Sequence, residues 1–499
     1  MLLGVDSPAI AGVIALPTKS AIPAESRPLR FDEVKGAVDL AKGTGHHIYL
    51  VGGYLRDALG SFADKKSCKD FDFAVAGGTG FAFAKHVANS MEGHFVPLDE
   101  DNDTARVVLA NGTVLDFSGC VGGTIDADVW RRDFSINALV WDPESPDEVS
   151  DYTGGMSDLE KKQLRAISET AFTEDPLRLL RAYRFAAHIG GTIEANTSEW
   201  IKRHAERIKL VAAERINVEI FALLGQKYVA KMVQSMGDVG LLEYIYPELE
   251  ATHQVTANAY HHLGLFEHTV ETIPQLESRL QELPEWVHES LSQEINTGIT
   301  KLAATKLACL LHDVAKPRTW QINEDGRHTF YGHDRLGAEM CEVIGERMKW
   351  SRPLTKFIVK LVKWHLRPGA LFHQGPPTEK AIRRFYRDVE DDLPELILLA
   401  YSDFGATRGP DLLDASARAT AEKNLSDLLD GYQAFKEKNK TRVKLLDGND
   451  VMGILGISGG PIIGDILEDL VEAQEFNEVS NRAEAEAFIR EHYAKKYSK

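Results

Sequence analysis

Residues 50–60, LVGGYLRDALG, and residues 69–75, KDFDFAV, decide how this chain should fold. The second stretch is apolar and β-prone, and its Asp70 and Asp72 lie two positions apart, so both carboxylates should project from one face of a strand. Two carboxylates side by side are costly unless a cation lies between them, and Mg²⁺ prefers such oxygen ligands and bridges to substrate phosphates. The pair predicts a nucleotidyl-transfer site, although a lone Asp-x-Asp is usually a solvated strand end.

The first stretch has the order of a phosphate-binding turn. Residues 49–51 predict a short buried strand, Gly52 and Gly53 a turn, and residues 54–59 the start of a helix whose N-terminal amides would face an anion. A Gly-Gly turn alone is a weak signal. In this order and separation, however, GG-x-x-RD followed by D-x-D resembles the head signature of the nucleotidyltransferase superfamily. Its details resemble the branch of class II (CCA-adding) tRNA nucleotidyltransferases and bacterial poly(A) polymerases.

Length and composition indicate a globular protein of several domains. The chain has 499 residues, 43% of them hydrophobic and 26% charged, so three or more folded units are expected. The formal net charge of -18 argues against a protein that coats nucleic acid without selectivity, so any RNA contact must come from local basic patches. The four cysteines have no C-x-x-C spacing, which suits reduced thiols in a cytoplasmic protein. No apolar run approaches a membrane span, and the N-terminus lacks the basic start of a signal peptide.

A third carboxylate and an arginine motif follow the predicted head strands. Asp116, within TVLDFS, could complete the metal site or be an ordinary strand-end aspartate. Residues 131–138, RRDFSINA, could bind a triphosphate and a ribose, because Arg pairs bidentately with phosphate and Asp accepts from a hydroxyl. They could equally be a surface ion cluster that caps a helix. The segment resembles the family's second motif, RRDFT-x-NA, with Ser135 in place of Thr. The resemblance implies a nucleotide site that contains Gly52, Gly53, Arg56, Arg132, Asp133 and Asn137, with the two arginines on the triphosphate and Asp133 on the ribose.

Residues 173–187, TEDPLRLLRAYRFAA, predict one amphipathic helix. Asp175 and Arg178 are three positions apart and should share a face. A carboxylate that accepts from an amine, beside a guanidinium that donates to a ring nitrogen or carbonyl, can imitate a Watson-Crick edge for cytosine or adenine. The alternative is an i, i+3 salt bridge, which is nearly neutral in energy. The segment resembles the family's fourth motif, which implies that the pair is a protein template and that Arg181 and Arg184 contact phosphate or scaffold.

Two further segments resemble family motifs with structural roles. Residues 151–159, DYTGGMSDL, resemble the glycine-bearing third motif, a hinge between head and neck. Residues 212–220, AAERINVEI, resemble the fifth motif, whose Glu214, Arg215 and Glu219 would support the neck.

The chain becomes rich in histidine beyond residue 259. Helices that carry these imidazoles and nearby carboxylates could gather them round one or two divalent metals, although a single histidine is more often a surface or core residue. The ordered set, with adjacent His312 and Asp313 at the end of an apolar helix, resembles the HD-family metal phosphohydrolases. The resemblance implies phosphohydrolase activity with Ni²⁺, Mn²⁺ or Co²⁺, and an inert scaffold is the alternative. The expected ligands are His268, His312, Asp313, His333, His365 and Asp403.

These resemblances imply an α+β protein with a small mixed-sheet head, followed by all-α neck, body, HD and tail regions. The expected segments are a flexible arm (1–29), a nucleotidyltransferase head (30–148), a nucleotide-selecting neck (149–225), a body (226–258), an HD domain (259–410) and a helical tRNA-binding tail (411–499).

The implied function is the addition of CMP, AMP or both, from CTP and ATP, to the 3′ end of tRNA. Two Mg²⁺ ions would be held by Asp70 and Asp72, with or without Asp116. An enzyme that adds only CC or only A, a poly(A) polymerase, and an HD phosphohydrolase with an inactive head are the alternatives. No membrane contact and no stable protein partner are implied.

Overall fold

A mixed sheet of eight strands forms the N-terminal part of the computed structural model, which describes residues 16–60, 69–256, 263–407, 415–440, 443–476 and 478–497. The strands are β1 (Thr18–Ala21), β2 (His47–Val51), β3 (Asp70–Ala76), β4 (His94–Asp99), β5 (Thr104–Val108), β6 (Val114–Gly119), β7 (Leu139–Trp141) and β8 (Glu148–Asp151). Their order is β1-β8-β7-β2-β3-β6-β5-β4. β3 and β6 are parallel, and the other neighbours pair antiparallel.

Five helices accompany this sheet: α1 (Asp32–Thr44), α2 (Gly53–Gly60), α3 (Gly80–Ser90), α4 (Ile125–Val129) and α5 (Gly155–Glu160). Phe71 and Phe73 of β3 are buried in one core with Val34 of α1, Leu55 of α2 and Phe83 of α3. Because side chains alternate along a strand, the neighbouring aspartates of β3 lie on the opposite, more open face. The turns and the sheet therefore place the acidic residues where a ligand can reach them.

Part of the expected N-terminal arm belongs to this sheet. Residues 18–21 form β1 and pair with β8, and Ile22 and Ser26 are buried. Residues 1–15 of the arm lie outside the described residues. The flexible arm expected over 1–29 is therefore not found for residues 18–21, because strand pairing and burial hold them.

The remainder is mainly helical, and the α+β class is confirmed. The helices are α6 (Ala171–Glu174), α7 (Arg178–His188), α8 (Ala195–His204), α9 (Ala213–Leu224), α10 (Ala230–Asp238), α11 (Leu241–Ile245), α12 (Leu265–Arg279), α13 (Glu285–Ser292), α14 (Lys301–Leu311), α15 (Lys316–Thr319), α16 (His333–Arg347), α17 (Arg352–Trp364), α18 (Arg367–Ala370), α19 (Glu379–Val389), α20 (Leu393–Ala406), α21 (Ala415–Lys440), α22 (Gly448–Leu455), α23 (Pro461–Glu475) and α24 (Arg482–Tyr497). This part also holds three two-stranded ribbons, formed by β9 (Gln163–Leu164) with β10 (Thr192–Ile193), β11 (Glu294–Asn296) with β12 (Ile299–Thr300), and β13 (Gln321–Ile322) with β14 (His328–Thr329).

The single helix expected over residues 173–187 is interrupted. Asp175 has extended backbone angles, φ −137° and ψ 99°, and α7 begins only at Arg178. The cause is Pro176, whose ring disfavours the helical conformation of the residue before it. The Asp175 side chain accepts a hydrogen bond from the Leu177 amide at 3.2 Å and so shapes the turn that enters α7. Asp175 and Arg178 therefore do not occupy one helix face.

Helix α9 packs against both α7 and α14. Asn217 of α9 donates to the Met348 carbonyl at 2.6 Å and accepts from Trp350 Nε1 at 3.3 Å. The buried Lys306 of α14 donates to the Gln226 carbonyl, just beyond α9, at 2.8 Å. The neck and the histidine-rich region thus share one helix as part of their cores.

The described chain divides into two compact units. The first comprises the described residues up to 381 and those from 389 to 425, and the second comprises residues 382–388 and those from 426 onward. In the second unit, α22, α23 and α24 bury Val451, Ile466 and Ile489 in a common core. Asp447 and Asp450 form a capping box at the start of α22. Among the helices of the described residues, none is long and apolar enough to span a bilayer.

Candidate active site and metal centre

Three carboxylates lie on the open face of the head sheet. Asp70 and Asp72 of β3 point away from the core that buries Phe71 and Phe73. Asp72 is the register partner of Asp116 on the parallel neighbour β6, so their side chains project on the same side. The structure therefore brings together the three acidic residues expected from the sequence.

The glycine turn supports Asp72 directly. Gly52 has φ +76°, and a Cβ atom there would lie 2.7 Å from Asp72 Oδ2, so only glycine fits. The Gly53 amide, at the start of α2, donates to the Asp72 carboxylate. Desolvation by neighbouring atoms raises the pKa of Asp72 above its ordinary value, and the charge of Asp116 adds to the rise. The anion that faces this helix start is thus a carboxylate of the protein itself.

An arginine that the sequence interpretation missed completes this face. Arg106 of β5 donates from Nε and Nη2 to the two oxygens of Asp116, at 2.8 and 2.9 Å. Arg106 and Asp116 are register partners across β5 and β6. Only knowledge of that pairing could have identified Arg106, because ten positions separate the two residues in the sequence.

The motif RRDFSINA forms a buried network rather than a surface cluster. Asp133 is buried and accepts from Arg181 Nε and Nη2, at 3.0 and 2.7 Å, and from Asn137 Nδ2 at 3.0 Å. Burial alone would raise the pKa of Asp133, but the Arg181 charge and these bonds outweigh it and hold the pKa below its ordinary value. Arg132 donates to Asp128 at 2.7 Å, and its charge acts on Asp72.

Arg56, in the helix that follows the glycine turn, is buried and bonded to protein groups. Its buried guanidinium donates to both oxygens of Asp57, at 2.7 and 2.8 Å, and to Asn137 Oδ1 at 3.0 Å. Asp57 also contacts His188 Nε2 at 2.8 Å. Burial opposes the charge of Asp57, but the bonds from His188 and Arg56 hold its pKa below its ordinary value. The structure thus gives Arg56 protein partners where the sequence interpretation expected a triphosphate.

Arg181 and Arg184 of α7 extend this network into the neck. Arg184 Nε donates to Glu219 Oε2 at 2.5 Å, and Arg181 Nη1 lies 3.9 Å from Glu219 Oε1. Three guanidinium groups lie near the Phe185 ring. Their carbon atoms are 4.0 Å (Arg184), 4.8 Å (Arg56) and 5.1 Å (Arg181) from the ring centre. Such cation–π contacts favour fixed positions for all three arginines.

Asp175 and Arg178 each pair with another residue, so the expected i, i+3 alternative is not formed. Asp175 Oδ2 lies 3.3 Å from Arg215 Nη2, and Arg178 Nη1 lies 3.4 Å from Glu174 Oε2. Arg178 Nη2 donates to the Arg131 carbonyl at 3.1 Å, which places this side chain against the arginine motif of the head.

The expected metal ligands of the histidine-rich region meet at one buried point. Ligand atoms in two groups lie within 4.8 Å of one another, and Asp313 belongs to both groups. Its Oδ2 lies 3.2 Å from His312 Nε2, and its Oδ1 lies 3.2 Å from His333 Nε2. The carboxylate can therefore bridge two ions. One group is His268, His312, Asp313 and Asp403, and the other is Asp313, His333 and His365.

Three of these histidines are held in the orientation that metal binding requires. The Nδ1 atoms of His312, His333 and His365 each donate, at 2.7 Å, to the carbonyl of the residue three positions earlier. A carbonyl only accepts, so Nδ1 carries a hydrogen and Nε2 is the ring nitrogen that faces the centre. An imidazole and carboxylate donor set of this kind suits divalent transition metals.

The charges of the centre are strongly coupled. Burial lowers the pKa of His312, but the carboxylates of Asp313 and Asp403 together outweigh it and raise the pKa to about 10. Burial and the charge of His312 lower the pKa of His365 to about 4. Lys316, which sequence interpretation missed, places Nζ 2.5 Å from Asp313 Oδ2. Its position one helical turn after Asp313 was the available signal.

Three family profiles match the chain. The profile described as "Poly A polymerase head domain" matches residues 110–165, the "Probable RNA and SrmB- binding site of polymerase A" matches residues 191–252, and the "HD domain" matches residues 265–403. A nucleotidyltransferase head and an HD domain both imply the use of divalent metal ions.

Curated relatives match over most of their length. The A-adding tRNA nucleotidyltransferase of Deinococcus radiodurans is 32% identical over 449 residues, which cover 88% of this chain and 94% of the relative. The CC-adding tRNA nucleotidyltransferase of Thermus thermophilus is 30% identical over 447 residues, which cover 88% and 92%. That of Geobacter sulfurreducens is 31% identical over 451 residues, which cover 90% and 93%.

Solved structures share the fold. The Thermotoga maritima CCA-adding enzyme complexed with tRNA superposes with a TM-score of 0.61 at 19% identity, over 95% of this chain and 99% of that one. A CCA-adding enzyme in complex with ATP gives a TM-score of 0.63 at 21% identity, over 96% and 99%.

Proposed function

Because the chain belongs to the tRNA nucleotidyltransferase family, we propose that it transfers CMP, AMP or both, from CTP and ATP, to the 3′ end of tRNA. The observation that carries the proposal is the row of carboxylates on one sheet face, beside an arginine network that joins the head to the neck. A poly(A) polymerase is less favoured, because the curated relatives that span nearly the whole chain act on tRNA by name.

In the head, Asp70 and Asp72 provide the oxygen ligands for divalent ions, with Asp116 beside them. Mg²⁺ bound there would lower the pKa of the primer 3′-hydroxyl and stabilise the charge that develops on the leaving pyrophosphate. Gly53 holds Asp72 in place through its amide. Arg132 is the proposed contact for the triphosphate and Asp133 for the ribose, and no covalent intermediate is required.

The wider nucleotide site is proposed from the same motifs. Arg56 and Asn137 would act there by fixing the glycine turn and Asp133, since both are buried and bonded to protein groups. Arg184 would hold the neck through Glu219. The other members of the proposed nucleotide site are Gly52, Arg132, Asp133, Asp175, Arg178 and Arg181.

Base selection is assigned to Asp175 and Arg178. Both lie where the neck meets the arginine motif, and Arg178 contacts the Arg131 carbonyl. Their side chains pair with Arg215 and Glu174 rather than with each other, so a carboxylate and a guanidinium are available to exchange their present partners for a base edge. Exchange of a half-exposed pair such as Asp175 with Arg215 costs little.

The test uses tRNA transcripts that end before CCA, after C and after CC, each incubated with CTP or ATP. Asp72→Asn should abolish extension of every transcript and leave tRNA binding intact. The control is Asp39→Asn, which should extend the transcripts as the wild type does, because Asp39 is exposed and pairs only weakly with Lys42 at 3.9 Å. Extension by Asp72→Asn at the wild-type rate would contradict the assignment. The wild-type products show whether CC, A or CCA is added, since relatives of the A-adding and CC-adding kinds are almost equally similar.

Selection is tested in the same assay. Asp175→Ala should narrow the difference between CTP and ATP incorporation and also admit UTP, because guanine and uracil present the opposite pattern of donors and acceptors. Arg215→Gln, which removes the present partner of Asp175, should retain the wild-type choice of nucleotide. An unchanged choice in Asp175→Ala would refute the template role.

The HD region is proposed to be a metal-dependent phosphohydrolase. The fixed Nδ1 bonds of His312, His333 and His365 support this, because a purely structural histidine cluster does not require every Nε2 to face one point. The purified protein should hydrolyse a 2′,3′-cyclic phosphate with added Ni²⁺, Mn²⁺ or Co²⁺, and His312→Ala should not. If the protein holds no metal and shows no hydrolysis, the region is a scaffold.

The domain boundaries remain part of the proposal. They are a head over 30–148, a neck over 149–225, a body over 226–258, an HD domain over 259–410 and a tRNA-binding tail over 411–499. Limited proteolysis with and without tRNA would test them, because tRNA should protect sites in the tail.

A further inference from the structure

Arg106 stands in one row with two of the carboxylates of the head. The strands β3, β6 and β5 are adjacent, Asp72 is in register with Asp116, and Asp116 is in register with Arg106. Register partners on adjacent strands have Cβ atoms about 4.5–5.5 Å apart and project on the same side. A cation therefore lies at the edge of the acidic face, one strand beyond Asp116.

The contact between Arg106 and Asp116 has the geometry of a fork. Nε and Nη2 donate to separate carboxylate oxygens, at 2.8 and 2.9 Å, so the plane of the Asp116 carboxylate is fixed. The charges of Asp70 and Asp72 also act on the guanidinium, which shows that Arg106 belongs electrostatically to the whole acidic face. Each carboxylate oxygen has two lone pairs, so Asp116 can keep this fork and still offer an oxygen to an ion.

We propose that Arg106 is a positioning residue of the head metal site, which holds Asp116 in the orientation in which its carboxylate serves as the third ligand. The inference rests on the proposed function, because it presumes that divalent ions bind at Asp70 and Asp72. Replacement of a residue that bonds to a metal ligand and orients it commonly lowers the metal affinity by about 10- to 100-fold.

Arg106 also has an effect that lowers metal affinity, and the experiment must separate this effect from the positioning of Asp116. Its positive charge repels a divalent cation, so removal of the charge alone would tighten metal binding. Arg106→Lys keeps the charge and loses the fork, because an ammonium is a point donor without bidentate geometry. Arg106→Gln loses both. The lysine variant is therefore the decisive one.

The experiment measures Mn²⁺ binding to the full chain by electron paramagnetic resonance, without nucleotide or tRNA. Ions at the HD centre are common to all variants, and the difference from Asp72→Asn isolates the head ion. Arg106→Lys should weaken head binding roughly 10-fold or more. In an Asp116→Asn background, Arg106→Lys should have no further effect, because the carboxylate it positions is gone.

The control is Arg27→Lys, whose arginine is equally exposed (44%, against 41% for Arg106) and pairs with Asp147 at 3.0 Å. It should leave Mn²⁺ binding unchanged. Binding by Arg106→Lys equal to wild type, or tighter binding by Arg106→Gln with no change in Arg106→Lys, would overturn the positioning role. If the wild type binds no ion that depends on Asp72, the proposed function of the head fails instead, and the two failures are thereby distinguished.

Discussion

Replacement of Arg181 by methionine tests the ion network that joins the head to the neck. Arg181 donates two bonds to Asp133, at 3.0 and 2.7 Å, and lies 3.9 Å from Glu219. Methionine keeps much of the apolar stem that packs near Phe185 but removes the guanidinium. Asp133 is then left as a buried carboxylate without its cation.

The expected loss of stability is intermediate between a surface and a buried ion pair. Removal of one partner of a fully buried pair costs about 3–5 kcal/mol. A third of the Arg181 side chain (33%) is exposed, so solvent screens part of the interaction. Asp133 also keeps its bonds from Asn137 and from the Phe134 amide. We therefore expect the free energy of unfolding to fall by about 2–3 kcal/mol.

The assay is urea-induced unfolding followed by circular dichroism, together with the KM for CTP and ATP. Adding Asp133→Asn to Arg181→Met should recover most of the stability, because the buried charge is removed with its partner. The KM should remain raised in the double variant, because Arg181 and Asp133 both belong to the proposed nucleotide site. Arg203→Met is the control, since Arg203 is exposed and pairs with Glu169 on the surface. A loss for Arg181→Met no larger than for Arg203→Met would refute the reasoning.

Three other predictions concern the stability of the first unit. Lys306→Met should lower the free energy of unfolding by about 3 kcal/mol, because the buried Glu277, which accepts from Lys306 at 2.7 Å, loses its cation. Adding Glu277→Gln to Lys306→Met should restore the stability. Urea unfolding measures both variants, and a double variant as unstable as Lys306→Met would contradict the prediction. The native pKa of Asp133 lies below its unfolded value of about 3.9, so its contribution is complete above that value and is lost as the pH falls through the native pKa. The wild type should therefore lose more stability between about pH 5 and pH 3 than Asp133→Asn, and parallel losses would count against the assignment. Chelation of divalent ions should lower the melting temperature of the wild type, and Mn²⁺ should restore it, whereas both shifts should be smaller in His312→Ala, in which only the proposed head site remains intact.

Local rules were enough to predict the acidic face. The alternation of aspartate and phenylalanine in DFDF determines which side chains share a side, and the glycine turn before it has the φ value that only glycine adopts readily. The histidine centre was also predictable as a set, because its ligands lie at helix ends in a recognisable order. The hydrogen bonds from Nδ1 to backbone carbonyls, which fix three of the imidazoles, could not be predicted from the sequence.

The failures came from tertiary context and from one misjudged proline. Arg106 is adjacent to Asp116 only because β5 pairs with β6 in one register, which no local pattern specifies. The single helix expected over residues 173–187 was wrong, because Pro176 disfavours the helical conformation of the residue before it, which ended α6 and set the start of α7.

The shared helix α9 affects how the HD region should be interpreted. A chain shortened after residue 258 would lose Trp350, Met348 and Lys306, which now bond to Asn217 and to the Gln226 carbonyl. The remaining head and neck would therefore lose stability, although their own motifs would be complete. Evolution could therefore retain this region for folding alone. Its persistence in a genome would not by itself demonstrate hydrolysis, and only a variant that is silent in folding but defective in metal binding can separate the two reasons for keeping it.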